Sequence, residues 1–356
     1  MPLAELIQGP AAALDYFTAF LSSSQSSPVS QTAMFGTAAV TAVFHGFTAE
    51  AAYAGALLPA DAAAPVAFTI HVIDGAACKV ERPRLSWTAA DFGEKRVVPG
   101  WSDGDRTTYF LRGEDGFAVA DWVTRRAFIW LPSSQAVPWY ERAAPFRWLF
   151  DGLAARLGMS TLHAAAVGLD GHGVLIAGRG GIGKSTMALA CLGDGLDYIG
   201  DDYCLLDQDL LDDDWEPRVR ALYSTAKWRR GAAVVPAWLS AVPPDAADMA
   251  EHKNILFVDR LRPDQLVKDL SIAAIVVPAV AGLPEPLLQA IPPQEALANL
   301  AASTIAQSEQ GGAAVMPALA RLVRVVPAYR LQMSSDPDAS ATAIRSLLAQ
   351  KSRRVP

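Results

Sequence analysis

The feature that most constrains this chain is a glycine-rich octapeptide, GRGGIGKS, at residues 178–185. It follows a short apolar run, Val174 to Ala177, and precedes an apolar segment that ends at Gly193, so the sequence predicts a strand, a loop and a helix in direct succession. Glycines in the loop allow positive φ angles and leave room for successive N–H groups to point into one cavity. A strand, such a loop and a helix N-terminus together form a cradle for a phosphate group.

The end of this loop carries the side chains that phosphate chemistry uses. Lys184 is expected to reach the β- and γ-phosphates of a nucleoside triphosphate, and the Ser185 hydroxyl is expected to ligate Mg²⁺. Only seven of the 356 residues are lysine, so a chance match at this position is rare. The predicted nucleotide-binding residues are Gly178, Arg179, Gly180, Gly181, Ile182, Gly183, Lys184, Ser185 and Thr186.

Composition excludes several classes of protein. With 51% hydrophobic and 19% charged residues, the chain has enough apolar surface to fold and enough length for one large domain or two. The net charge of -7 argues against broad nucleic-acid binding. The N-terminus lacks the basic region of a signal peptide, and the longest apolar run, Ile272 to Leu283, is too short for a membrane helix. We therefore expect a soluble cytoplasmic protein that binds neither nucleic acid nor membrane.

Turn residues and apolar runs divide the chain into three segments. Residues 1–36 are predicted to form a helix and a serine-rich connector, and residues 37–140 a β-rich domain of short strands. Helical spacing over 139–158 joins this domain to the segment 141–356, where strands and helices surround the loop. A single short strand is predicted over 197–206. The predicted fold class is therefore α/β, in the broad sense that includes α+β.

Two adjacent carboxylates follow the predicted helix. Asp201 and Asp202 lie 16 and 17 residues after Ser185, at a point where a parallel strand would bring them beside the γ-phosphate. Adjacent carboxylates can divide the work of phosphoryl transfer, one holding Mg²⁺ and the other accepting the proton of an attacking hydroxyl. A lone histidine on an apolar strand, such as His163, is more often a core residue than a catalytic one, so by itself it predicts no chemistry.

The combination of His163, the glycine-rich loop and the pair Asp201-Asp202 resembles the catalytic domain of the HPr kinase/phosphorylase family. Its relatives include HPr-kinase-like enzymes that phosphorylate a serine of ribosomal peptide precursors, as in lasso peptide clusters. The resemblance covers residues 160–206 closely and residues 145–345 more loosely. It implies a P-loop kinase domain of the HPr kinase/PEP-carboxykinase type, with a mixed sheet.

The resemblance also implies a role for each residue of the pattern. Lys184 would bind the β- and γ-phosphates of ATP, and Ser185 would bind Mg²⁺. Asp201 would be the general base that deprotonates the acceptor serine, while Asp202 would support the metal or the base. His163 would line the site of phosphoryl transfer.

The chain departs from the bifunctional members of that family in two places. Arg179 and Gly180 stand where those members carry an acidic and a polar residue, and residues 215–270 lack a stretch of the type Glu-Ile-Arg-Gly-Leu-Gly. Both departures favour a stand-alone kinase over an enzyme that also runs the reverse phosphorylase reaction.

Cationic residues downstream are candidates to bind the γ-phosphate or an anionic segment of the substrate. They are Lys227, Arg229, Arg230 and Lys253, on polar segments flanked by apolar strands. The alternative interpretation, solvated cations on the protein surface, remains open.

The sequence therefore predicts an ATP- and Mg²⁺-dependent kinase that transfers the γ-phosphate to a serine hydroxyl of a small protein or precursor peptide. Two alternatives use the same residues: a carboxykinase-like or other small-molecule phosphotransferase, and a non-catalytic ATP-binding regulatory protein. Self-association into a homo-oligomer is compatible with each of the three.

Overall fold

The computed structural model divides the chain into two units, Met1–Leu149 and Phe150–Pro356. It describes residues 6–24, 27–49, 53–88, 96–113, 115–208, 215–229, 234–242, 247–249, 253–309 and 312–352. Both units combine helices with sheets that contain parallel and antiparallel pairs, so the coarse prediction of a mixed α/β chain is confirmed.

A six-stranded sheet forms the centre of the N-terminal unit, in the order β1-β2-β3-β6-β5-β4. Its strands are β1 (Val29–Phe35), β2 (Ala38–His45), β3 (Val66–Asp74), β4 (Arg106–Leu111), β5 (Gly116–Asp121) and β6 (Arg126–Leu131). The helices are α1 (Pro10–Ser23), α2 (Gly75–Cys78) and α3 (Trp139–Ala143). The central pairs β2–β3 and β3–β6 are parallel, and the outer pairs are antiparallel.

Helix α1 covers one face of this sheet. Proline at its first position suits a helix start, because the missing N–H would have no partner there in any case. Leu14 and Phe17 are buried, and the ring of Phe17 stacks on that of Phe128 with centroids 5.4 Å apart. The periodic apolar face of the helix therefore closes the core of the unit.

Strand β1 differs from the sequence-based expectation for residues 1–36. The serine-rich stretch was predicted to be a connector, but residues 29–35 pair with β2 along their whole length. Ala33 and Phe35 are buried, whereas Ser30 and Thr32 are exposed. The alternation of small polar and apolar residues is a strand pattern that the polar composition conceals.

Two histidines lie side by side in the sheet. His45 Nε2 is 3.2 Å from His71 Nδ1, and the His71 ring stacks on Phe128 with centroids 5.1 Å apart. Burial, reinforced by the charges of His45 and Arg126, lowers the pKa of His71 to about 4. Its neutral form is therefore the one that the fold accommodates.

Acidification is expected to destabilise the N-terminal unit through His71. Between the ordinary histidine pKa and about 4, the unfolded chain binds a proton that the folded unit does not, so stability falls as pH decreases. After allowance for the partial exposure of the ring, we expect a loss of about 2 kcal/mol between pH 7 and pH 4.5. Urea unfolding followed by tryptophan fluorescence measures it.

The matched variants are His71→Gln and His172→Gln. The first removes the titrating ring and should make the loss on acidification smaller, whereas the second, at the first residue of another strand, should leave it unchanged. An identical pH dependence in wild type and His71→Gln would show that this ring does not set it.

In the C-terminal unit a nine-stranded mixed sheet follows the path β10-β8-β9-β16-β12-β11-β7, with β18 beside β16 and β17 beside β18. Its strands are β7 (Met159–Leu162), β8 (Ala165–Leu169), β9 (His172–Ile176), β10 (Asp197–Gly200), β11 (Cys204–Asp207), β12 (Arg218–Ala221), β16 (Asp269–Leu283), β17 (Leu287–Ile291) and β18 (Ala328–Ser334). A separate three-stranded sheet consists of β13 (Thr225–Arg229), β14 (Ala247–Met249) and β15 (Lys253–Phe257).

The remaining helices are α4 (Arg147–Arg156), α5 (Lys184–Gly193), α6 (Val258–Leu261), α7 (Pro293–Gln307), α8 (Gly312–Val325) and α9 (Pro337–Ser352). Single 3-10 turns span Tyr53–Ala56, Ser134–Ala136, Ala237–Ala241 and Pro263–Gln265. In the described ranges, no helix is long and apolar enough to cross a membrane.

Two predicted elements are divided in the structure. The helix expected over 139–158 is broken between α3 and α4, because Pro145 cannot donate a helical hydrogen bond and disfavours helical geometry in the residue before it. The strand expected over 197–206 becomes β10 and β11, which lie far apart in the sheet order. The chain turns between them at Asp201 and Asp202.

Strand register places this turn beside the glycine-rich loop. Gly200 at the end of β10 and Leu175 near the end of β9 both lie opposite Ala166 of β8. Since β8 is antiparallel to both, β9 and β10 run in the same direction and end at the same edge of the sheet. Strands β9 and β10 therefore run parallel, as predicted, but β8 lies between them and they are not hydrogen-bonded to each other.

Candidate functional site

The glycine-rich loop joins β9 to α5 through backbone that favours glycine. The φ angles of Gly178, Gly181 and Gly183 are 142°, 83° and 107°, whereas Gly180 has no positive φ. A Cβ atom on Gly183 would lie 2.8 Å from Met333 Cε. The positive φ angle is therefore the reason for glycine at position 183, since the Met333 methyl group ends a flexible side chain that can move aside.

Replacing Gly183 by alanine is expected to destabilise the protein by about 1–2 kcal/mol, because an L-residue is strained at that φ angle. Gly180→Ala is the matched control, since no atom lies within 4 Å of a Cβ at that position. Thermal unfolding of both variants measures the difference. Equal melting temperatures for the two would contradict the strained geometry at Gly183.

The loop fits a phosphate group. Among the described residues, no acceptor receives the backbone N–H groups of Gly180, Gly181 and Gly183. Ser185 and Thr186 follow in the first turn of α5, where the helix dipole favours an anion. Arg179 and Ile182 close the turn through a hydrogen bond from the Ile182 N–H to the Arg179 carbonyl at 3.4 Å.

Lys184 is folded back onto the loop. Its side chain is buried, and Nζ donates to the carbonyl of Gly178 at 2.7 Å and to that of Arg179 at 3.4 Å. Burial lowers the pKa of Lys184, while the negative charges of Asp201 and Asp202 oppose that shift. The ammonium therefore lies in the cradle with acceptors that a phosphate group can replace.

Asp201 directly follows the end of β10. Its carboxylate is only 2% exposed, and Oδ2 accepts the backbone N–H of Lys227 at 3.0 Å. Burial raises the pKa of Asp201, and the charge of Lys227 opposes the rise. This carboxylate is thus held by the backbone of β13 at the sheet edge where β10 ends.

Asp202 faces two cationic or potentially cationic groups. Its Oδ1 is 2.7 Å from His163 Nε2, and its Oδ2 accepts a hydrogen bond from Lys227 Nζ. Burial by itself would raise the pKa of Asp202, but Lys227 and His163 hold it well below its usual range. Asp202 therefore stays ionised and available to a cation.

The surroundings of His163 come from a distant helix and from the aspartate turn. Ser303 and Thr304 of α7 exchange hydrogen bonds with the His163 backbone, at 3.1 and 3.3 Å. The Tyr203 ring stacks on the imidazole with centroids 5.3 Å apart, and its hydroxyl donates to Gln307 Oε1 at 3.2 Å. Sequence reasoning missed these four residues. Only Tyr203 had a signal, its position next to the aspartate pair.

The candidate substrate cations have different positions. Lys227 lies inside the site, whereas Arg229 is exposed at the end of β13 and pairs in register with Lys253 on β15. Lys253 is half-buried, and its positive charge contributes to the lowered pKa of Lys184. Arg230 lies outside the described residues.

The donor set is compatible with Mg²⁺ bound together with a nucleotide. Within the ranges given above, no cluster of three or more His, Cys, Asp or Glu side chains could hold a metal alone. Mg²⁺ is usually held by one or two carboxylates together with substrate phosphates and water. Asp201 and Asp202 would supply the carboxylates of such a site, and the Ser185 hydroxyl would be a further protein ligand.

Comparison with known proteins gives little beyond this geometry. No protein-family model and no curated protein matches the chain. Among solved structures, the HPr(Ser) kinase/phosphatase from Coxiella burnetii is similar over 55% of this chain and 96% of that chain, with 15% sequence identity and a TM-score of 0.30. A similarity of that size assigns neither a family nor an activity, and the functional conclusion rests on the residues of the site.

Proposed function

We propose that the C-terminal unit is an ATP- and Mg²⁺-dependent kinase that transfers the γ-phosphate to a serine hydroxyl of a small protein or precursor peptide. One observation carries the proposal: Asp201 and Asp202 follow β10 at the sheet edge where β9 leads into the glycine-rich loop, and Asp202 contacts His163. A glycine-rich loop, a helix N-terminus and two carboxylates thus lie at one edge of the sheet. The acceptor class rests on the resemblance of this pattern to peptide and protein kinases of the HPr-kinase-like type.

Bound ATP and Mg²⁺ supply the transferable phosphoryl group and neutralise its charge. The loop N–H groups would bind the phosphates, and Lys184 would leave the carbonyls of Gly178 and Arg179 to join them. Asp202, which stays ionised, would hold the metal together with Ser185. Asp201 would accept the proton of the acceptor hydroxyl, which is the task of a general base in this class of reaction.

The direct test incubates the purified protein with γ-labelled ATP, Mg²⁺ and the product of a small open reading frame beside its gene. We expect label on one serine of that product, located by mass spectrometry and lost when the serine is replaced by alanine. Tight ATP binding without transfer to any hydroxyl substrate would contradict the proposed activity and would support a nucleotide-binding regulatory protein.

A further inference from the structure

Lys227 occupies an unusual position for a lysine. Its side chain is only 8% exposed, and it reaches the aspartate pair from the three-stranded sheet, not from the sheet that carries the loop. The backbone N–H of Lys227 donates to Asp201 Oδ2, and its ammonium group donates to Asp202 Oδ2. One residue therefore contacts both carboxylates.

Asp201 is buried and Asp202 half-buried, and two adjacent carboxylates with so little access to water need a cation close to them, because an unpaired charge there is strongly destabilising. The ammonium of Lys184 is directed to the loop carbonyls of Gly178 and Arg179. The ammonium of Lys227 is the one that contacts Asp202 directly. In this conformation Lys227 is thus the ammonium that neutralises the pair, through Asp202 Oδ2.

We propose that Lys227 is a built-in counter-ion of the aspartate pair, which a divalent cation must displace from Asp202 Oδ2 in order to bind. This inference rests on the proposed function, because it concerns the metal of that site. Two cations cannot share one carboxylate oxygen at contact distance without strong repulsion. The His163 contact uses the other oxygen, Oδ1, and does not need to break.

The displaced ammonium has a direction in which to move. Strand register places Arg229 on the same face of β13 as Lys227, and Lys253 opposite Arg229. This face is the one from which Lys227 reaches the site, and the charge of Lys253 already acts on Lys184 of the loop. A phosphate group in the loop would give the released ammonium a new partner. Metal and nucleotide would therefore favour each other's binding.

The test measures Mn²⁺ binding to the nucleotide-free protein by the electron paramagnetic resonance signal of the free ion. Lys227→Met is expected to bind Mn²⁺ on the order of tenfold more tightly than wild type, because the competing cation is absent. Lys268→Met, which removes the same charge from an exposed position of the same unit, should bind like wild type. Equal affinities of wild type and Lys227→Met would overturn the proposal.

A second measurement uses the wild-type protein and covers the case in which the variant does not fold. Acetic anhydride acetylates accessible amines, and peptide mass spectrometry reports the extent at each lysine. Acetylation of Lys227 is expected to increase several-fold at saturating Mn²⁺, while that of Lys268 stays constant. Unchanged protection of Lys227 with Mn²⁺ bound would overturn the displacement.

The outcomes separate this inference from the proposed function. A wild-type protein that binds no ATP, with or without Mn²⁺, contradicts the kinase proposal whatever the lysine does. ATP binding with no effect of Lys227→Met on Mn²⁺ affinity leaves the kinase proposal intact and removes the counter-ion role.

Discussion

Replacing Asp201 by asparagine is expected to slow phosphoryl transfer about 1,000-fold, within the range that general-base catalysis supplies. The amide keeps the size of the side chain and its carbonyl can still accept the Lys227 N–H, but it cannot take up the proton of the acceptor hydroxyl. ATP affinity should change little, since Lys184 and the loop N–H groups are unaltered. Single-turnover transfer of labelled phosphate and equilibrium ATP binding measure the two effects separately.

The matched variant is Asp202→Asn, one residue along the chain. Because Asp202 is assigned to the metal, this change should raise the Mg²⁺ concentration needed for half-maximal transfer, an effect not expected of Asp201→Asn. Rapid transfer by Asp201→Asn, at a rate similar to wild type, would contradict the assignment of the base. A larger loss of Mg²⁺ affinity in Asp201→Asn than in Asp202→Asn would show that the two carboxylates have exchanged roles.

Replacing Lys184 by methionine is expected to weaken ATP binding about 100-fold, equivalent to about 3 kcal/mol. Methionine fills a similar volume but cannot donate the charge-assisted hydrogen bonds that an ammonium makes to phosphate oxygens. It also removes the contacts of Nζ with the Gly178 and Arg179 carbonyls. Isothermal titration calorimetry with a non-hydrolysable ATP analogue and Mg²⁺ gives the change in affinity.

Circular dichroism and thermal unfolding show whether Lys184→Met keeps its fold, and Lys268→Met serves as the charge-matched control. If a folded Lys184→Met binds the analogue as tightly as wild type, the octapeptide is not the nucleotide site. In that case a slow Asp201→Asn variant would no longer identify Asp201 as the general base, because that assignment assumes that ATP is bound at the octapeptide.

Much of the candidate site could be anticipated because its parts are close together in the chain. The loop, Lys184 and Ser185 are consecutive, and their geometry follows from glycine backbone freedom and from the start of a helix. Asp201 and Asp202 could be placed beside the loop from the direction of the strand before them. The strand register places both aspartates at the sheet edge where the loop begins, and Asp202 contacts His163.

Other parts of the site could not be read from the pattern. The backbone of His163 is held by Ser303 and Thr304, about 140 residues away in the chain. The contact of Lys227 with Asp202 joins two different sheets. Both depend on which strands and helices become neighbours, and the packing of the whole unit sets that order.

The same distinction applies to the elements themselves. The local sequence pattern was sufficient to predict the strand, the loop and the helix at residues 174–193. It was insufficient for residues 197–206, because nothing in that run of apolar and acidic residues shows that β10 and β11 pair with different partners. It was also insufficient for β1, which follows a serine-rich stretch and gains its stability by pairing with β2.

The sequence by itself determined that this chain has a glycine-rich loop between a strand and a helix, with two carboxylates soon after it, because backbone freedom, helix polarity and short spacing are properties of consecutive residues. Only the tertiary structure decided which groups those carboxylates meet: the Lys227 N–H for Asp201, and His163 and the Lys227 ammonium for Asp202. The physical reason is that a buried charge needs a partner of opposite charge or a hydrogen-bond donor, and burial is created by the packing of elements distant in the chain.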